Sequence, residues 1–91
     1  MDLSRSLVGH VTLRQLQIFD AVATLRSVSR AAKSLHLTQP AVSIQLRHLS
    51  ELVGTPLVES SGRGIALTAM GRVVHRYARE VIEKLHEADV A

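Results

Sequence analysis

Ser27-Val28-Ser29-Arg30-Ala31-Ala32-Lys33-Ser34-Leu35-His36-Leu37-Thr38-Gln39-Pro40-Ala41-Val42-Ser43, residues 27–43, is the stretch on which the fold turns. Serine and threonine hydroxyls accept from backbone N–H groups left unpaired at a helix start, so Ser27 and Thr38 read as two N-caps. Between them fits a short helix over 28–35, with Ala31, Ala32 and Leu35 on its inner face. Small side chains there let another helix cross closely. His36 and Leu37 leave room only for a tight turn, and histidine is among the few non-glycine types enriched in the left-handed conformation such a turn needs. Pro40 stands in the first turn of the next helix, where its missing N–H costs nothing. The stretch therefore predicts helix, tight turn, helix.

Working outward, the helix begun at Thr38 runs to Val53, with Gly54 as its stop and Pro56 beyond. Val42, Leu46, Leu49 and Val53 fix its buried face. At about 100° per residue, Pro40, Ser43, Ile44 and Arg47 fall on the opposite side. Upstream, Thr12-Leu13-Arg14-Gln15 matches a capping box and predicts a helix over 13–25. Leu13, Leu16, Ile18, Phe19, Val22 and Ala23 form its core stripe, and Arg14, Gln17 and Asp20 are expected to point away. Residues 1–11 carry no pattern and read as a mobile arm.

Downstream of Gly54 the period changes from helical to extended. Residues 57–60 and 65–67 read as two short strands joined by Ser61-Gly62-Arg63-Gly64, a hairpin with one arginine between glycines at its tip. Thr68 then caps a long helix whose apolar residues Met70, Val74, Tyr77, Val81, Leu85 and Ala88 recur at three- and four-residue steps, widened by Val73 and Ile82. Nothing else in the chain is left to cover that stripe, so self-association through it is expected. The division is an arm over 1–11, a body over 12–68 and a dimerisation helix over 69–91. The fold class is mainly α with a small β-hairpin.

Ninety-one residues suffice for one small core and leave no room for a second domain. Hydrophobic residues make up 46% and charged residues 21%, while one Phe, one Tyr and no Trp force an aliphatic core, which suits packed helices. Without cysteine there is no disulfide and no Cys-ligated zinc. No run approaches 18 apolar residues and no secretory signal is evident, so a soluble, cytoplasmic protein is expected. The net charge is only +3, yet acids are absent from residues 21–50 and 60–79, which carry Arg26, Arg30, Lys33, Arg47, Arg63, Arg72, Arg76 and Arg79. A polyanion would favour that segregation. A plain solvated surface would also allow it, and charge alone leaves both open.

The bihelical pattern is that of a DNA-binding motif, and the competing classes have less support. His10, His36, His48, His75 and His86 show no i, i+4 pairing and none stands near a cysteine or paired carboxylate, so no catalytic residue, metal ligand or cofactor site is expected and the chain does not read as an enzyme. Gly62-Arg63-Gly64 lacks the third glycine of a dinucleotide site. A pure dimerisation module would leave the acid-free outer face of the third helix unexplained. A membrane-surface helix is disfavoured because the final helix ends in Glu83, Glu87 and Asp89, the wrong sign for anionic lipid.

Three segments, residues 12–19, 29–43 and 62–68, carry a closer resemblance. In this order they resemble the N-terminal domain of LysR-type bacterial transcription regulators over nearly the whole chain, and the Leu37-Thr38-Gln39-Pro40-Ala41-Val42-Ser43 run is similar to members that control carbon-fixation operons. The resemblance implies a winged helix-turn-helix binding double-stranded operator DNA, with the third helix in the major groove and the hairpin as a wing at the adjacent backbone or minor groove. It implies DNA contact for Ser29, Arg30 and Lys33, the two cations on phosphate; for Thr38, Gln39, Pro40, Ser43 and Ile44, with Gln39 and Ser43 on base or phosphate and Ile44 on a thymine methyl; and for Arg47 on phosphate. For Arg63 it implies phosphate or minor-groove contact. It further implies a homodimer through Met70, Val74, Tyr77, Val81 and Leu85 on an interrupted palindrome, a tetramer in the full-length protein, and a small-molecule effector held by a C-terminal domain of periplasmic-binding-protein type that these residues do not contain. Three positions depart from the family's usual pattern: Ile44 and Ser60 stand where arginine is frequent, and Val58 where phenylalanine is.

Overall fold

Thr12 sets the first long helix: its hydroxyl accepts from the Gln15 N–H at 3.0 Å, and Gln15 Oε1 accepts from the Thr12 N–H at 2.9 Å, completing the predicted capping box. The computed structural model describes residues 7–90. Its elements run α1 (Leu7–His10), α2 (Leu13–Leu25), α3 (Val28–Leu35), α4 (Gln39–Val53), β1 (Val58–Ser61), β2 (Gly64–Leu67) and α5 (Ala69–Val90). Helix bounds match the sequence reading because each boundary carries its own local chemistry. Ser27 Oγ accepts from Arg30 N at 3.1 Å and Thr38 Oγ1 from Ala41 N at 3.2 Å. His36 takes the left-handed cap at φ 57° and Gly54 does so at φ 93°.

Ile18, Phe19 and Val22 of α2, Ala31 and Ala32 of α3, and Val42, Leu46 and Leu49 of α4 form one buried core, closed below by Leu57. The two alanines are nearly inaccessible, which is what brings α3 close enough to cross both neighbours. Gln15 donates to Gln45 Oε1 at 3.3 Å and adds a polar tie between α2 and α4.

The arm expected over residues 1–11 needs correcting in part. Leu7–His10 is a helical turn against α4, closed by the Val11 N–H on the Leu7 carbonyl, and Val11 packs on the core. Tertiary packing orders this segment despite its lack of pattern. Residues 1–6 lie outside the described residues.

The hairpin is tighter than expected. Ser61 pairs with Gly64, so the turn consists of Gly62 and Arg63 alone. Gly62 has φ 54° and Arg63 does not share the positive sign, the pattern of a type II′ turn, which suits the twist of the flanking strands. Thr68 fastens the hairpin base to α5: its hydroxyl donates to the Pro56 carbonyl at 2.7 Å and accepts from the Gly71 N–H at 3.0 Å. A Cβ at Gly71 would run into the Leu57 carbonyl, so glycine is what allows α5 to start here.

The long helix has a partner within the chain over part of its length, which the sequence reading did not anticipate. Ala78 and Ile82 are buried, and half-buried Val74 and His75 lie on the same face, where α5 packs on α2. Asp20, expected to face solvent, instead meets that face. It accepts from Arg79 Nη1 at 3.1 Å and from the Thr24 hydroxyl at 3.4 Å, and lies 2.9 Å from His75 Nε2. His75 also makes an edge-type ring contact with Phe19, with centroids 6.0 Å apart.

Candidate nucleic-acid interface

Because Val42, Leu46 and Leu49 turn inward, helical geometry puts Gln39, Pro40, Ser43, Ile44 and Arg47 on the outer surface of α4, and all five are exposed. Ile44 is 41% exposed, a large aliphatic side chain with no cover. Thr38 is exposed at the start of this face, and its hydroxyl, already accepting from Ala41, keeps a proton to donate. Ser29, Arg30 and Lys33 are exposed on α3. Arg63 projects from the two-residue turn of the hairpin.

The tertiary fold brings three of these sites together. An open groove of about 380 Å³ is lined by Ser29 at the start of α3, Gln39 at the start of α4, and Gly62, Arg63 and Gly64 of the hairpin. The first turn of α4 and the hairpin tip thus face one space, although they lie far apart in sequence. Arg47 stands elsewhere, about two turns further along α4 from Gln39.

This surface is basic and largely uncompensated. Among the described residues Arg26, Arg30, Lys33 and Arg63 form no ion pair, and Arg47 reaches only Glu51 on its own helix, at 3.9 Å. The second acid-free stretch is less uniform than its composition implies. Arg79 is held by Asp20 and by Glu83 at 3.1 Å, hydrogen bonds and charge that raise its pKa above the ordinary arginine value, so its charge is spent inside the molecule.

Arg26 lines the same groove and was not singled out as a contact from sequence. The available signal was its place between the last apolar residue of one helix and the cap of the next. Nothing in the sequence showed that the hairpin would fold back beside it.

On α5, Met70, Val73, Tyr77, Val81 and Leu85 form an exposed stripe adjoining the face that packs on α2, with Tyr77 56% exposed. Val74, placed on this stripe by its spacing, is half-buried and packs on the chain's own core. Ile82, which the same spacing placed beside it, is buried against the body.

A family model for the bacterial regulatory helix-turn-helix proteins of the lysR family matches residues 13–72, from the first residue of α2 into α5. The chain belongs to that family. Among LysR-family relatives, a RuBisCO operon transcriptional regulator of Allochromatium vinosum is 48% identical over 80 residues, 88% of this chain and 26% of that protein. The regulator CbbR of Rhodospirillum rubrum is 47% identical over 79 residues, 87% of this chain and 26% of that protein. The chain thus spans about a quarter of the length of the curated relatives it matches. Among solved structures, a CbnR_DBD–DNA complex superposes with a TM-score of 0.80 at 38% identity, over 87% of this chain and 91% of that one. A complex of BenM_DBD with catB site 1 DNA gives 0.83 at 30% identity, over 88% and 89%. The fold is therefore the LysR winged helix-turn-helix, with β1 and β2 as the wing and α5 as the long helix that follows it.

Proposed function

We infer that this domain binds double-stranded DNA sequence-specifically, with α4 in the major groove and the wing on the adjacent backbone or minor groove. The observation that carries this is the exposed outer face of α4, which among the described residues has no side-chain partner save the weak Arg47–Glu51 pair, set beside the unpaired cations of α3 and across a groove from the arginine at the wing tip. Its likeness to domains solved on DNA supports the same placement. Arg30 and Lys33 on α3 and Arg47 on α4 supply phosphate contacts that fix register, while Gln39, Ser43 and Ile44 meet base edges. Thr38, Pro40 and Ser29 border that contact.

The exposed stripe on α5 provides a homodimer interface, so the dimer presents two copies of α4 to an interrupted palindrome. The names of its relatives point to a promoter of a carbon-fixation operon as the natural target, reached in the cytoplasm, with any effector acting through a further domain of the full protein. Two measurements test the reading. Selection from random DNA should recover inverted half-sites whose centres are about 34 to 36 Å apart or a multiple of that. Affinity for the selected duplex should fall by about 10³ to 10⁵ between ~50 and ~200 mM salt if roughly six to ten phosphates are neutralised. Recovery of no common sequence would remove the claim of specificity, and salt-insensitive binding would remove the phosphate contacts.

A further inference from the structure

We propose that Arg26, at the left-handed end of α2, binds a phosphate of the DNA strand that passes between α4 and the wing. The proposal rests on the DNA-binding reading above and adds a contact to it.

In B-form DNA a single sugar-phosphate backbone separates a major groove from the minor groove beside it. If α4 lies in the first and the wing reaches the second, that backbone crosses the space between them. In this fold that space is the groove bounded by Gln39 on one side and by Gly62, Arg63 and Gly64 on the other. Of the residues lining it, only Arg26 and Arg63 are charged, and both are positive. Arg26 therefore stands beside the path of the strand, on the wing side of the groove.

Its conformation points the same way. Arg26 has φ 54° and ψ 36°, left-handed backbone that glycine adopts freely and other residues adopt at a steric cost. His36 is the other non-glycine residue with positive φ among the described residues, and its two-residue turn joins α3 to α4. The backbone of Arg26 is fixed by its N–H on the Val22 carbonyl at 2.8 Å. Its carbonyl lies against β2, so closely that a Cβ on Gly64 would come within 3.0 Å of it. The position is thus locked to the wing while the side chain is exposed and forms no ion pair among the described residues. A guanidinium kept on a backbone that favours glycine, and left without an internal partner, fits a role outside the chain. The competing explanation is local: a cation near the end of α2 complements the helix dipole. That role requires no DNA.

Arg26→Gly and Arg26→Lys separate the two. The probes are a duplex recovered by selection and a mixed-sequence duplex of equal length, titrated by fluorescence anisotropy from ~50 to ~200 mM salt. A dimer carries two copies, so Arg26→Gly should lower the slope of log K against log salt by about 2 and weaken binding to both duplexes by about ten- to sixty-fold at ~0.1 M salt. Its thermal midpoint should be unchanged or raised, because glycine relieves the left-handed backbone. Arg26→Lys, with the charge kept on the same strained backbone, should retain most of the affinity and the full slope. The proposal is overturned if Arg26→Gly keeps the affinity and slope of the unmodified domain, or if Arg26→Lys loses as much as Arg26→Gly. Failure of the unmodified domain to bind either duplex would overturn the DNA-binding reading and this proposal together.

Discussion

Gln39 and Ile44 carry the most specific chemistry on α4. A glutamine amide can pair with adenine through two hydrogen bonds, and an uncovered isoleucine can pack on a thymine methyl. Each replaced by alanine should lower discrimination at one base position per half-site by about 1 to 3 kcal/mol. Arg47→Ala should instead weaken all sequences alike, since its pairing with Glu51 is exposed and weak and leaves the guanidinium available to phosphate. Anisotropy against a set of duplexes with single base changes separates the two behaviours; uniform loss for Gln39→Ala and Ile44→Ala would show that they do not read bases. These outward positions were legible in the sequence because a regular helix fixes the face of every residue once Val42, Leu46 and Leu49 are known to be buried. Arg26 was not, because its surroundings are made by the hairpin, nearly 40 residues further on in the chain.

At the scale of elements, the tip of the wing is a two-residue turn whose shape is set by Gly62 and whose one charge is Arg63, with Ser60 contributing none and Glu59 of β1 an acid further down the strand. Arg63→Ala should reduce the salt slope and weaken selected and mixed-sequence duplexes alike; an unchanged slope would leave the wing without a phosphate role. The other element-scale device is the clasp of α5 on α2. Asp20 receives Arg79 and Thr24 and meets His75 while its side chain is only 18% exposed, so Asp20→Ala strips a charged acceptor from three partners. The expected loss is about 1 to 2 kcal/mol, reduced from the range for charged hydrogen bonds because Arg79 is half exposed. Urea unfolding reads it, and an unchanged midpoint would mean that apolar contacts of Ala78 and Ile82 suffice. Helix starts and stops were legible because caps, glycines and Pro40 act within a few residues. The clasp joins residues 55 and 59 positions apart, and no local rule marks Asp20 as the partner of His75 or Arg79. For the same reason the sequence stripe on α5 merged two faces, one turned to the body and one to solvent.

The whole molecule is organised around that division of α5. One face anchors the helix to the body, and the adjoining stripe of Met70, Val73, Tyr77, Val81 and Leu85 stays exposed, the surface proposed above for a second copy. Val81→Glu or Leu85→Glu should therefore yield a monomer with its fold intact, because both side chains are already exposed within one chain. Sedimentation at high micromolar concentration checks this; a dimer that survives both changes would place the interface elsewhere. The monomeric variant should still prefer a single half-site, since α4 and the wing belong to one body, but lose the gain from engaging two at once. If the outer face of α4 reads bases within a dimer, its side chains set the preferred sequence of both half-sites at once. Selection from random DNA, run side by side with the unmodified domain and with Gln39→Ala, tests it most directly. The unmodified domain should yield an inverted repeat, and the variant the same repeat with preference lost at one symmetric position in each half-site. An identical base profile for the two proteins, or enrichment without symmetry, would contradict it.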